Sequence, residues 1–361
     1  VQTCALPILK YQKLIQYLFD YFFYIDTRMK KITSILMISI AFLCIIIISY
    51  FHYNQLPIYD LDLACKFIKN TTQKEDFKSL AEKLGYSEDD KLLIIHADDL
   101  GLEESVNSTS FESLKKNTVS SASVIMTTDN TDEVANFSEL NPTLDLGVHL
   151  TVTSEWKIHK WGGVLNDKDI PSLLNDNNQF YWNKRKFTKF SNLVEVRNEL
   201  QAQIDLAVSM GINVSHIDSH EGALFFDPDI FKMYLNLAKK NDLLAFVPIQ
   251  ASVHFDENFP KPDHAIIFDQ FFMAEAGIKP DEMEKYYLDI LDNLKPGLSQ
   301  IIVHFGLHND KMKDITQGKI DYGSLWREID YNVMNSEKFI KSLEENNIKL
   351  INYSDLKNVI F

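Results

Sequence analysis

The chain has 361 residues, 45% hydrophobic and 24% charged, which is enough apolar material for a sizeable core and excludes a mainly disordered protein. A formal net charge of −15 repels polyanions at long range, so nucleic acid is excluded as the principal partner and neutral or cationic substrates are favoured. Of three cysteines, Cys4, Cys44 and Cys65, only the last lies clear of the hydrophobic N-terminal region, which excludes a disulfide scaffold and a cysteine-based zinc finger.

In chain order, residues 1–28 are a charged and aromatic stretch ahead of Met29-Lys30-Lys31, which reads as a natural start; 1–28 are therefore expected to be an upstream extension. No charge interrupts the run from Ile32 to Tyr50, whose length approaches the roughly 20 residues of a bilayer-spanning helix. Lys30 and Lys31 favour a cytoplasmic N-terminus, with the rest of the chain outside. The run is longer than a usual signal-peptide core and lacks an A-x-A-like cleavage site before Phe51, so 29–50 reads as an uncleaved anchor in preference to a cleaved signal. Residues 51–90, with Pro57, read as a stalk with a short helix near Lys74–Leu84, and 91–361 as one domain.

Within that domain, short apolar runs predict strands at Leu92–Ala97, Val119–Thr127, Leu144–Thr151, Asn213–Ile217, Leu243–Pro248, Ala265–Phe268, Ser299–Phe305 and Ile348–Tyr353. Helical stretches are predicted at Glu103–Lys116, Asp132–Leu140, Leu193–Met210, Pro228–Lys240, Asp281–Leu294 and Ser336–Asn346. This alternation predicts an α/β fold with mostly parallel strands. Seven or eight strands in one domain favour a (β/α) barrel, with a doubly wound sheet as the alternative. Either way, chemistry is expected at the carboxyl ends of the strands.

Several strand ends carry reactive groups. The first ends His96-Ala97-Asp98-Asp99-Leu100-Gly101, where two adjacent carboxylates call for a cation or hydrogen-bond donors, unless one is a helix cap. The third carries His149, and Val214-Ser215-His216-Ile217-Asp218-Ser219-His220-Glu221 places His216, Asp218 and His220 on one face while it stays extended. A late strand ends at His304. One carboxylate with two imidazoles is a divalent-metal set, and open positions for water would make it catalytic in type.

His96–Gly101, Gly147-Val148-His149-Leu150-Thr151, His216–His220 and Tyr322-Gly323-Ser324-Leu325-Trp326-Arg327 together resemble, in order, the motifs of the YdjC-like carbohydrate deacetylases, over essentially Lys91 to Leu356. The resemblance implies a distorted (β/α) barrel and metal-dependent removal of acetyl groups from N-acetylated sugars. It also implies Asp99, His149 and His220 as metal ligands, Asp98 as catalytic base and Arg327 at the substrate. His96, Glu221, Phe246 and Phe305 depart from the commonest family pattern, which bears on substrate choice.

One divalent ion is expected, magnesium or zinc foremost. His304 is expected to protonate the leaving amine and Asp218 to orient a ligand histidine. Trp156, Trp161 and Trp182 lie in the long connection after His149, and Trp156 and Trp161 are expected to line a glycan cleft, Trp156 foremost. The expected partners are an N-acetylated carbohydrate and, through the N-terminal helix, a membrane. The alternatives are an O-acetyl carbohydrate esterase on the same barrel and a non-catalytic anchored glycan-binding protein.

Overall fold

The computed structural model describes residues 37–46, 74–255 and 258–361. Contacts divide the chain into two units, Val1–Thr72 and Gln73–Phe361. In the first unit, 37–46 are helical and 38–46 are exposed. The remainder of the expected anchor, the expected extension 1–28 and 51–73 of the expected stalk lie outside the described residues. Among the described residues no helix is long and apolar enough to cross a membrane.

The second unit is built on parallel strands: β1 (Lys91–Leu100), β2 (Ser121–Val124), β3 (Leu146–Leu150), β4 (Val214–Ser219), β5 (Leu244–Val247), β6 (Ala265–Ile267), β7 (Gln270–Met273), β8 (Gly297–His304) and β9 (Ile348–Leu350). The hydrogen-bonded order is β6-β5-β4-β3-β2-β1-β8-β7, and every ladder is parallel. The two ends of this path, β6 and β7, are separated in the chain only by Phe268 and Asp269, a span of at most about 11 Å. They form one passage that first pairs with β5 and then with β8, so the sheet curls into a seven-walled distorted barrel closed there by the covalent link. β9 pairs with Lys91–Leu93 of β1, below the point where β2 takes over at His96.

Period-two alternation sorts the strand residues. Leu92 and Ile94 join Leu244, Phe246, Ile266, Phe268, Leu298 and Tyr353 in one cluster that fills the barrel interior. Leu93, Ile95 and Ala97 belong to the larger outer cluster under the helices. Both faces of β1 are therefore apolar, as parallel strands covered by helices require. The helix Lys74–Lys83 is in place, and Leu80 and Leu84 pack against the interior cluster. By the same alternation His96, Asp98, Gly147, His149, His216, Asp218 and His304 continue the interior face toward the carboxyl edge.

The structure adds β7 and the helices Lys184–Phe190, Asp310–Ile315, Ser324–Met334 and Tyr353–Ile360 to the predicted elements. It also shortens the expected strand Ile348–Tyr353 to three residues. Asn352 accepts from the Asp355 N–H while the Asp355 side chain accepts from the Asn352 N–H, a capping box that turns the chain into a helix.

Candidate metal centre

Adjacent residues in a regular strand point to opposite faces, so Asp98 and Asp99 should diverge. They do not, because Asp99 has a left-handed φ of 68°, and the β1–β2 register shifts between Ala97 and Leu100. A non-glycine residue in that region carries strain that its surroundings must hold. The result is that Asp99 Oδ1 and Asp98 Oδ2 stand 3.5 and 3.7 Å from the same nitrogen, His149 Nε2.

Asp99 Oδ1 also lies 3.4 Å from His220 Nδ1, yet it is buried without a hydrogen-bond partner. Ligand atoms about 2.0–2.2 Å from a tetrahedral zinc lie about 3.3–3.6 Å apart, so Asp99, His149 and His220 fit a divalent ion. The expected ligand triad is thus brought together. The cluster of His96, His216 and Asp218 is also compact, but His96 Nε2 and His216 Nε2 already share a 2.9 Å hydrogen bond in a fully buried setting.

Each of the two imidazole rings is oriented through its other nitrogen. His149 Nδ1–H donates to Asp218 Oδ1 at 2.7 Å, and Ser123 Oγ–H donates to Asp218 Oδ2 at 2.9 Å. His220 Nε2–H donates to Glu155 Oε2 at 2.9 Å. These carboxylate–histidine pairs hold Nε2 and Nδ1 toward Asp99. Burial works against charge on His149, but Asp218 and Asp98 outweigh it and raise its pKa to about 9. The same opposition, with Glu155 and Asp99 prevailing over burial, raises His220 well above its ordinary value.

Asp218 was expected as an orienting group; Glu155 was missed. Its only signal was a carboxylate six residues after His149 in an irregular connection, and the contact depends on a fold of that connection. Thr153 bridges to Tyr181, and the Ser154 N–H donates to Tyr181 O at 3.0 Å, which sets Glu155 above His220.

Arg327, expected at the substrate, is 1% exposed and donates through Nη2 to Asp99 Oδ2 at 2.6 Å. It thereby holds the carboxylate with Oδ1 free for the imidazoles. Burial alone would raise the Asp99 pKa, but Arg327 and His220 hold it well below the usual carboxylate range. His304 Nε2 lies 4.0 Å from Asp98 Oδ2. Burial, aided by Arg327, brings the His304 pKa down to about 4 against the pull of Asp99 and Asp98, so its imidazole is neutral at pH 7. Behind it, the His304 N–H donates to Asp330, which also accepts from the Tyr287 hydroxyl.

Asp98 has its two oxygens in different roles. His96 Nδ1–H donates to Oδ1 at 2.7 Å, while Oδ2 faces His149 and His304. The His96 bond to His216 continues to Ser215 Oγ, 2.7 Å from His216 Nδ1, and the His216 ring stacks on Tyr353 at 3.8 Å.

Trp156 and Trp161 are 3% and 6% exposed. Arg327 and Lys319 stand over the Trp156 ring at 5.6 and 5.9 Å, and the Trp161 indole Nε1–H donates to Thr153 O at 3.0 Å. As placed, these rings brace the edge of the site and present no open stacking face; Trp182, by contrast, is exposed.

A model of the YdjC-like protein family matches residues 92–345 of the chain. A carbohydrate deacetylase of Thermoanaerobacter pseudethanolicus is 26% identical over 272 residues, covering 74% of this chain and 100% of that protein. One of Thermus thermophilus is 30% identical over 234 residues, covering 63% and 82% respectively. A crystal structure of a suggested cellobiose-phosphate cleavage protein from Enterococcus faecalis shares the fold, with a TM-score of 0.61 and 24% identity over 74% of this chain and 99% of that one.

Proposed function

The chain belongs to the YdjC-like family, and on that premise we propose that it is a carbohydrate deacetylase that hydrolyses the acetamide of N-acetylated sugars with one divalent ion. The observation that carries the metal is the buried, unpartnered Asp99 Oδ1, set 3.5 and 3.4 Å from His149 and His220 nitrogens. A divalent ion held by these three groups would polarise the acetyl carbonyl and acidify the attacking water.

The remaining steps belong to side chains. Asp98 Oδ2, left free because His96 occupies Oδ1, accepts the proton of the water. The proton reaches the leaving nitrogen by way of His304 Nε2, whose 4.0 Å separation from Asp98 Oδ2 is spanned by one bridging water. A conjugate acid with a pKa near 4 is a strong donor for that purpose. Arg327 keeps Asp99 ionised and aimed, and Asp218 and Glu155 keep the imidazoles turned inward.

The test is acetate release from N-acetylglucosamine and its oligomers after chelation, with zinc, magnesium, manganese, nickel or cobalt restored singly. Metal-restored release supports the reading, whereas release only from O-acetylated sugars refutes it in favour of the esterase. For localisation, the uncharged run 32–50 behind Lys30 and Lys31 supports an anchored protein with the barrel outside the cytoplasm. Recovery of the full chain entirely in the soluble cytoplasmic fraction refutes that placement.

A further inference from the structure

Two aromatic side chains are open to solvent: Trp182 is 55% exposed and Phe226 is 64% exposed. Both are tied by short paths to the groups around His220. Tyr181, next to Trp182, is paired with Thr153 and Ser154, whose following residue Glu155 binds His220. Asn183, on the other side, caps the helix Lys184–Phe190 by accepting the Lys186 N–H at 2.9 Å. Trp182 therefore stands on backbone fixed at both of its neighbours.

Phe226 is tied through Lys184. Lys184 Nζ donates to the carbonyl of Glu221, the residue after His220, at 2.8 Å, and lies 4.9 Å from the Phe226 ring centroid. One lysine thus links the Trp182 segment to the Phe226 segment. The polar residues Asn183, Lys184, Arg185 and Asp227 flank the two rings in sequence. Flat apolar faces in a polar setting match a sugar, which offers apolar C–H faces ringed by hydroxyls.

We propose that Trp182 and Phe226 form an outer binding platform for further sugar units of an N-acetylated oligosaccharide whose reacting unit sits at the metal centre. This rests on the deacetylase reading and extends it: the substrate is a chain rather than a single sugar, and the rings that read its length lie outside the catalytic groups.

The test is titration calorimetry on the full chain, with chelator present so that nothing is consumed, comparing N-acetylglucosamine with its β-1,4 tetramer. The wild type should bind the tetramer at least about tenfold more tightly, the scale of one or two aromatic contacts. Trp182→Ala and Phe226→Ala should each remove most of that gap and leave monosaccharide affinity and thermal unfolding unchanged. Equal affinity for the two sugars in the wild type, or a gap that survives in both variants, overturns the platform. Acetate release measured alongside separates the two claims. A gap without release refutes the deacetylase and keeps the platform, whereas release without a gap keeps the deacetylase and refutes the platform.

Discussion

Gly147 in β3 is where one added methyl tests the buried relay behind Asp98. A Cβ built there would fall 2.4, 2.5 and 2.7 Å from three atoms of the His216 ring, so ring or strand must give by about 1 Å to reach ordinary contact at 3.4 Å. The ring has nowhere to go: it is stacked on Tyr353 at 3.8 Å and bonded to His96 at 2.9 Å and to Ser215 at 2.7 Å. Gly147→Ala therefore combines overpacking, about 1–3 kcal/mol, with a buried hydrogen bond lost, about 1–3 kcal/mol. Stiffening of the unfolded chain offsets about 0.4–1 kcal/mol, since no left-handed backbone is required at this position. A net loss of about 3 kcal/mol lowers Tm by roughly 5–10 °C in a unit of this size. Melting by circular dichroism should show it, and acetate release should fall as His96 loses its partner and Asp98 its alignment. The decisive measurement is a double-mutant cycle with His216→Asn, which removes the ring that clashes. In that background Gly147→Ala should cost little; an equal Tm loss in both backgrounds refutes the argument.

Asp98→Asn should abolish turnover while a calorimetric metal titration stays close to wild type, whereas Asp99→Asn should weaken metal binding itself; the reverse pattern exchanges their roles. His304→Ala should lower kcat more than metal affinity, and unchanged turnover would demote it to packing. Arg327→Met leaves Asp99 as a buried charge without its partner, so Tm should fall by the equivalent of about 3–5 kcal/mol in chelator, a loss that added metal partly restores. Burial raises the Asp330 pKa to about 7, against the Asp330 hydrogen bonds from His304 and Tyr287. The folded state then keeps a proton that the unfolded chain releases above about pH 4, so stability is lost as pH rises from about 4 to 7 and levels off beyond. The difference in stability between wild type and Asp330→Asn should carry that slope; a flat difference refutes it.

Much of this molecule is legible in its residues taken in order. Apolar runs separated by helical stretches predict a parallel barrel, and Asp98, Asp99, His149, His220 and His304 fall at strand ends because a strand's direction decides which end meets the loops. Local pattern does not extend to what each atom faces. Period two would send Asp98 and Asp99 apart, and only the left-handed turn at Asp99, held by Arg327 from 228 residues away, aims both at His149. The pairing of His96 with His216, 120 residues apart, and of Glu155 with His220, 65 apart, depends on strand register and on the fold of a long connection. The burial of Trp156 beneath Arg327 follows from the same long-range packing. Hydrophobic periodicity records which face of an element is covered, whereas the partner of a buried polar atom is chosen by the three-dimensional arrangement that can satisfy it.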